Sequence, residues 1–165
     1  MKRLTVSIMA LCLVVLYSSW LGKTSASEAQ AEAKIQIVSG PIPATKAPVN
    51  NFTGDVNVAM LSLLRDHLNF SSGYVNFAPG ARTNWHSHPE GQMLIVTSGK
   101  GRVQQWGEPV LEIKEGDVVW FPAEVKHWHG AAPDQAMTHI SMAPIVEGTS
   151  SFWMEEVTDD QYKGK

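Results

Sequence analysis

The stretch GARTNWHSHPEGQMLIVTSG, residues 80–99, contains two histidines separated by one residue, then a short turn and an apolar run. Successive side chains of a β-strand point to opposite faces, so His86 and His88 would point the same way, about 6.6 Å apart along the backbone. Both rings could then reach one metal ion. Gln92 opens the apolar run, where a neighbouring strand could bring its side chain to the same point. The pair alone does not distinguish a metal site from two hydrogen-bonded core histidines.

Short apolar runs bounded by turn residues continue on both sides of this stretch. They occupy residues 56–64, 73–78, 92–97, 101–106, 110–113, 117–121 and 137–142. The turns PGAR, SGKG, KEGD and APDQ separate them at roughly eight to twelve residues, a spacing typical of an all-β sandwich or barrel. Residues 150–162 are expected to add a last strand and a short helix.

The overall composition is that of one globular domain. The 165 residues are 44% hydrophobic and 18% charged, which argues against disorder. The formal net charge is −3, and no basic run follows the N-terminus. The sequence therefore gives no reason to expect nucleic acid as a partner.

The N-terminus has the pattern of a secretory signal peptide. Lys2 and Arg3 precede an apolar stretch, and the small residues TSA end at Ala26. The apolar stretch approaches the roughly 20 residues that span a bilayer, so an uncleaved anchor helix is the alternative. Cleavage would remove three basic residues, no acidic ones and the single cysteine, leaving a net charge of −6 and no possible disulfide.

The expected organisation has three parts. A signal peptide, residues 1–26, precedes an N-terminal arm with a Pro-rich segment, residues 27–55, and a β-barrel with a short C-terminal tail, residues 56–165. The chain is expected to be periplasmic or secreted, without stable membrane association once the signal is cleaved.

Two motifs in this chain resemble those of the cupin superfamily. The first cupin motif combines a glycine, His-x-His, a carboxylate and a second glycine. Its spacing is matched by Gly80, His86, His88, Gln92 and Gly99, with glutamine in place of the carboxylate. Glu90 lies two positions too early, in the turn, and is expected to face solvent or the rim of the site.

The second cupin motif follows about twenty residues later. Gly116, Pro122 and His127 match its spacing. Glu124 stands where a glycine is common, and Ala131 replaces the usual terminal asparagine. The resemblance implies an all-β, small single-domain cupin, a double-stranded β-helix or jelly-roll barrel.

A narrower resemblance involves residues 79–101, 115–139 and 153–162. They look like the small bacterial manganese cupins with hydroxynitrile lyase activity, the (R)-mandelonitrile lyase type, whose fourth ligand is also glutamine. The resemblance implies one divalent metal, Mn(II) first, with Fe(II), Zn(II) or Ni(II) as alternatives. The metal ligands it implies are His86, His88, Gln92 and His127. Because all four are uncharged, the ion would stay a stronger Lewis acid.

Three further residues are candidates for catalysis. His129, two positions after His127, should face the same cavity, whereas Trp128 should face outward or into the layer behind. His139 can enter the barrel on another strand, and Thr83 could offer a hydroxyl near the metal. For each, orienting a ligand or filling the core is the alternative role.

The leading hypothesis is a lyase that cleaves or forms cyanohydrins, with the metal as Lewis acid. His129 is the first candidate for proton acceptor and His139 the second. The alternatives are an Mn or Fe cupin dioxygenase acting on a small aromatic substrate, and a non-catalytic periplasmic module that binds a small molecule. By resemblance, a homodimer or homotetramer is expected.

Signal cleavage gives the first testable prediction. We expect the exported protein to begin at Ser27, because the small residues before it suit signal peptidase. N-terminal sequencing of protein recovered from its own compartment would check this. Recovery of the chain in the membrane fraction with Met1 intact would favour the anchor helix instead.

Overall fold

The computed structural model describes residues 37, 39–61 and 69–165. The predicted signal peptide lies outside these residues, and its boundary stays a prediction. Ser39–Lys165 forms one compact unit. In the part of the chain that is described, no helix is long and apolar enough to cross a membrane.

The compact unit is almost entirely β-structure. Its strands are β1 Thr45–Lys46, β2 Phe52–Thr53, β3 Val56–Met60, β4 Phe70–Phe77, β5 Arg82–Thr83, β6 His86–Ser87, β7 Gln92–Gln105, β8 Leu111–Lys114, β9 Val118–Phe121, β10 His127–Ala131, β11 Met137–Pro144 and β12 Phe152–Trp153. A four-residue helix, α1 Asp159–Tyr162, follows. The all-β prediction is confirmed, as are the last strand and the short terminal helix.

Several strand boundaries differ from the sequence pattern, those of β3 and β4 the most. β4 begins at Phe70 rather than Gly73, because Ser71 and Ser72 continue the pairing with β11 although serines are typical of turns. β3 ends at Met60, and residues 62–64 of the expected strand lie outside the described residues.

The prediction of a turn at SGKG was wrong, because β7 runs through these residues as one 14-residue strand. Gly99 has a φ of 80°, and the register with β11 shifts between Thr138 and His139. A Cβ at Gly99 would collide with the carbonyl oxygen of Ala136. Glycine therefore bends the strand here without ending it.

The bend passes β7 from one sheet to another. In the first sheet the strand order is β1-β3-β4-β11-β7-β9. In the second sheet it is β2-β5-β10-β7-β8, with β6 beside β10 and β12 beside β6. All these pairs are antiparallel. Side chains from both sheets form one core, among them Phe77, Leu94, Val96, Val103 and Ala131.

A second, smaller core lies behind the second sheet. Trp85, Trp128, Val157 and Tyr162 pack together there, so Trp128 faces the layer behind and not the solvent. The Tyr162 hydroxyl donates to the carbonyl of Ala131 over 2.7 Å. This hydrogen bond links the C-terminal tail to β10, the strand that carries two of the candidate site histidines.

Candidate metal centre

Every candidate site residue lies buried. β6 supplies His86, with His88 just beyond it, and β7 opens with Gln92. β10 supplies His127 and His129, with His127 directly opposite His86 in the register. His139 comes from β11 and Thr83 from β5. None of these side chains is more than 5% exposed.

The imidazoles are close enough to share an ion. Nitrogen atoms of His86, His127 and His129 all lie within 4.8 Å of one another. The ring of His88 is centred 5.1 Å from that of His86 and 5.5 Å from that of His127. By nitrogen positions the group includes His129, whereas by ring centres His88 lies nearer to His127 than His129 does, at 5.5 Å against 6.1 Å.

Hydrogen bonds to the backbone orient three of the rings. Nδ1 of His86 donates to the carbonyl of Asn84 over 2.9 Å, and Nδ1 of His127 donates to that of Val125 over 2.8 Å. Nδ1 of His88 donates to the carbonyl of Ser150. A neutral imidazole has one N–H, so each bond leaves an Nε2 lone pair facing the interior. This is how metal-binding histidines are commonly held.

The contact between His127 and Gln92 tests whether a cation suits this site. Nε2 of His127 lies 3.1 Å from Oε1 of Gln92. With its N–H committed to Val125, His127 presents a lone pair to an amide oxygen, which is also an acceptor. Among the described residues, the buried Nε2 of His88 has no hydrogen-bond partner. A divalent cation among these atoms would satisfy all three lone pairs, so the residues fit a metal.

Burial keeps the histidines neutral. It lowers the pKa of His86 well below 6.5, and the neighbouring His127 and His88 lower it further. Burial likewise lowers the pKa of His88, and it lowers the pKa of His127 to about 3. Desolvation disfavours the charged imidazolium in each case. At neutral pH the lone pairs are therefore available as ligands.

His129 and His139 form a separate pair beside this group. Nδ1 of His129 lies 3.2 Å from Nε2 of His139, so one nitrogen donates and the other accepts. The backbone N–H of His129 donates to the Thr83 hydroxyl over 3.2 Å. Nε2 of His129 and Nδ1 of His139 are buried and find no hydrogen-bond partner in the described part of the chain. Burial lowers the pKa of both rings, that of His139 to about 3.

A cavity of about 130 Å³ adjoins the histidines. Its wall includes His86, His88, Gln92, His129 and Thr83, whereas His127 and His139 do not line it. The rest of the lining is apolar or hydroxylic: Phe52, Val58, Ser71, Val75, Ser141, Ala143, Ser150, Ser151 and Trp153. Among these described residues none carries a carboxylate, ammonium or guanidinium group. The volume is close to the ~150 Å³ that accommodates benzene in an engineered apolar cavity.

A larger depression does not concern the histidines. It has a volume of about 580 Å³ and is bordered by charged residues that include Lys100, Arg102 and Glu112. No site histidine contributes to its wall. Because the histidines line the smaller cavity and not this depression, the smaller cavity is the candidate site.

Two aromatic residues of the site were not anticipated from the sequence. Phe121 stacks on His127, with ring centres 3.8 Å apart and planes at 8°. Trp153 packs on His86 at 4.7 Å and 31°. The alternation of β9 would have turned Phe121 inward, because Val119 also faces the core, but nothing in the tail marks Trp153.

The positions of two glutamates follow from the cupin motifs. Glu90 is exposed in the turn, as expected. Glu124, at the position where cupins commonly have glycine, has a φ of 61°. Glycine suits that left-handed conformation, which explains the usual residue there.

Comparisons with known proteins agree with this architecture. A family model described as a cupin domain matches residues 73–142. An (R)-mandelonitrile lyase from Granulicella tundricola is 50% identical over 118 residues, which cover 72% of this chain and 90% of that protein.

Solved structures give the same result. A cupin-like protein from Thermotoga maritima superposes with a TM-score of 0.69 at 46% identity, covering 72% of this chain and 90% of that one. A polyketide cyclase from Streptomyces resistomycificus has a TM-score of 0.62 at 16% identity, covering 79% and 92%, a likeness of fold alone. The chain therefore belongs to the cupin superfamily, as a small single-domain member.

Proposed function

We propose that this cupin is a metal-dependent carbon–carbon lyase that cleaves a cyanohydrin to an aldehyde and hydrogen cyanide, and forms it in the reverse direction. The observation that carries the proposal is an uncharged, buried ligand set beside a cavity into which His129 presents an unpartnered ring nitrogen. The similarity to an (R)-mandelonitrile lyase supports this choice among cupin activities.

The metal would be held by His86, His88, Gln92 and His127. A divalent ion bound there would supply Lewis acidity toward the oxygen of the substrate. We propose Mn(II), because the family resemblance points to it and mixed nitrogen and oxygen donors accept it, as they accept Fe(II), Ni(II) and Zn(II). Neutral donors leave the charge of the ion uncompensated, which strengthens its Lewis acidity.

His129 is the proposed proton acceptor. If its Nδ1–H donates to Nε2 of His139, its own Nε2 carries a lone pair at the cavity wall. The cyanohydrin hydroxyl gives its proton to this nitrogen, the carbonyl forms, and the electron pair of the carbon–carbon bond leaves with cyanide. The cyanide then takes the proton back, which restores neutral His129.

His139 and Thr83 support this step. His139 does not line the cavity, so its proposed role is to hold the tautomer and orientation of His129 through the 3.2 Å bond. Thr83 accepts the backbone N–H of His129, and its hydroxyl has no acceptor among the described residues, so it can donate to a group in the cavity. Thr83 could therefore stabilise the departing cyanide.

The lining also favours an uncharged substrate. Apart from the metal itself, the described lining offers a carboxylate no arginine or lysine partner once it is removed from water. A neutral cyanohydrin or aldehyde loses less solvation on entering. Its apolar part would contact Phe52, Val75 and Trp153, while hydroxyl groups remain for its polar part.

The ligand set predicts how substitutions at Gln92 will behave. Gln92→Ala should weaken Mn(II) binding at least ~10-fold, because it removes a metal donor. Gln92→Glu should retain the metal but lower kcat at least ~10-fold, because a carboxylate offsets the charge of the ion. Metal content by mass spectrometry and mandelonitrile cleavage measure the two effects, with exposed Glu90→Ala as control. Full metal affinity in Gln92→Ala would show that the ligand set is misassigned.

The proton acceptor is tested by His129→Ala. We expect kcat for mandelonitrile cleavage to fall by about 10²–10⁴ with metal content unchanged, because general base catalysis contributes about that much. His139→Gln should have a smaller effect, since glutamine can still accept the Nδ1–H. Mandelonitrile cleavage that continues without oxygen would exclude the dioxygenase, because the turnover of a dioxygenase would cease. A wild-type kcat in His129→Ala would show that another group accepts the proton. An absence of turnover by the intact protein would favour a binding module instead.

We also propose that the chain pairs with a second copy through the outer face of the first sheet. Val118 and Trp120 of β9 are 62% and 58% exposed there. Register brings further apolar side chains beside them: Met93 and Ile95 of β7, Ile140 and Met142 of β11, and Tyr74 of β4. None of these seven side chains is charged, so two negatively charged copies can meet over this patch without opposing like charges.

Substitution in this face tests the pairing. Trp120→Glu should shift the protein from dimer to monomer, because a two-fold interface would bury two like charges. Light scattering after size exclusion measures the mass, with Leu111→Glu, exposed on the second sheet, as control. A monomeric wild type, or a dimeric Trp120→Glu, would contradict the proposal.

A further inference from the structure

Trp153 occupies a distinctive place in the wall of the histidine cavity. It is 38% exposed, whereas the other residues of the wall are buried or half-buried. One side chain therefore faces both the solvent and the cavity. This marks the position where the cavity meets the outside.

The Trp153 ring is packed between two aromatic neighbours. It lies 4.7 Å from the ring of His86 and 5.3 Å from the ring of Phe52. Phe52 in turn contacts Phe77 of the main core at 6.2 Å. Phe52 also lines the cavity, so the two aromatic rings form a continuous part of its wall.

Two short segments that lie far apart in the chain carry these rings, and one buried residue joins them. The backbone N–H of Asn84 donates to the carbonyl of Asn51 over 2.8 Å. The Asn84 side-chain amide donates to the carbonyls of Asn50 over 2.9 Å and Met154 over 3.4 Å. The backbone around both rings is thus held in place, as a steric filter requires.

We infer that Trp153 and Phe52 set the upper size limit of the group that enters the cavity: one aromatic ring is admitted and two fused rings are excluded. The volume of about 130 Å³ leaves room for roughly one benzene-sized group. A second fused ring would need the space that the Trp153 indole fills. Trp153 is therefore a specificity-determining residue, and this inference rests on the proposed function for the class of substrate.

The neighbouring residue provides a matched control. Phe152 lies on the same two-residue strand and is 51% exposed, yet it does not line the cavity. Adjacent side chains of a strand point to opposite faces, so Phe152→Ala removes an aromatic ring without opening the cavity. Trp153→Leu keeps an apolar contact with His86 and covers the case in which Trp153→Ala folds poorly.

Binding of two unreactive alcohols tests the size limit. Dissociation constants of benzyl alcohol and 2-naphthalenemethanol would be measured by ligand-observed NMR for the wild type and the three variants. We expect the naphthyl compound to bind the wild type and Phe152→Ala at least ~10-fold more weakly than the benzyl compound. In Trp153→Ala and Trp153→Leu the ratio should fall to about 3 or less.

Three outcomes would overturn the inference: equal binding of both alcohols to the wild type, an unchanged ratio in both Trp153 variants, or no binding of benzyl alcohol to the wild type. Mandelonitrile turnover is measured separately on the same preparations. A protein that discriminates by size but cleaves no cyanohydrin would contradict the proposed function alone. A protein that cleaves mandelonitrile with an unchanged ratio would contradict the size filter alone.

Discussion

The site depends on one property of neutral imidazole: it has a single N–H. His86, His88 and His127 each donate that hydrogen to a backbone carbonyl, so each Nε2 lone pair must face the interior. The carbonyls belong to Asn84, Val125 and Ser150, in three separate parts of the chain. The donor set therefore exists only when both sheets and the C-terminal tail are assembled, and burial keeps it uncharged at neutral pH.

The fold supplies this assembly through the bend in β7. At Gly99 the strand passes from the first sheet to the second, so the two sheets share a strand and face one another across one core. Gln92 at the start of β7 and His127 at the start of β10 thereby approach to 3.1 Å. Tyr162 of the tail packs on Trp128 behind β10, which supports the side of this strand opposite to His127 and His129.

The cupin scaffold by itself does not decide the chemistry. The polyketide cyclase shares the fold with this chain at only 16% identity. Function resides in the side chains that the scaffold presents. Here these are neutral donors, a histidine pair with an unpartnered nitrogen, and a small cavity whose described lining carries no charge. That combination suits an uncharged substrate with an oxygen to be activated.

The sequence by itself determined the β-class, the cupin motifs and the burial of each site histidine, because alternation along a strand is a local property. It did not reveal that β7 continues through SGKG, since a glycine that bends a strand looks like one that ends it. Only the tertiary structure decided that Ser150 would orient His88 and that Trp153 would cover His86. These contacts join residues more than sixty positions apart, and local periodicity states which way a side chain points, not which distant segment meets it.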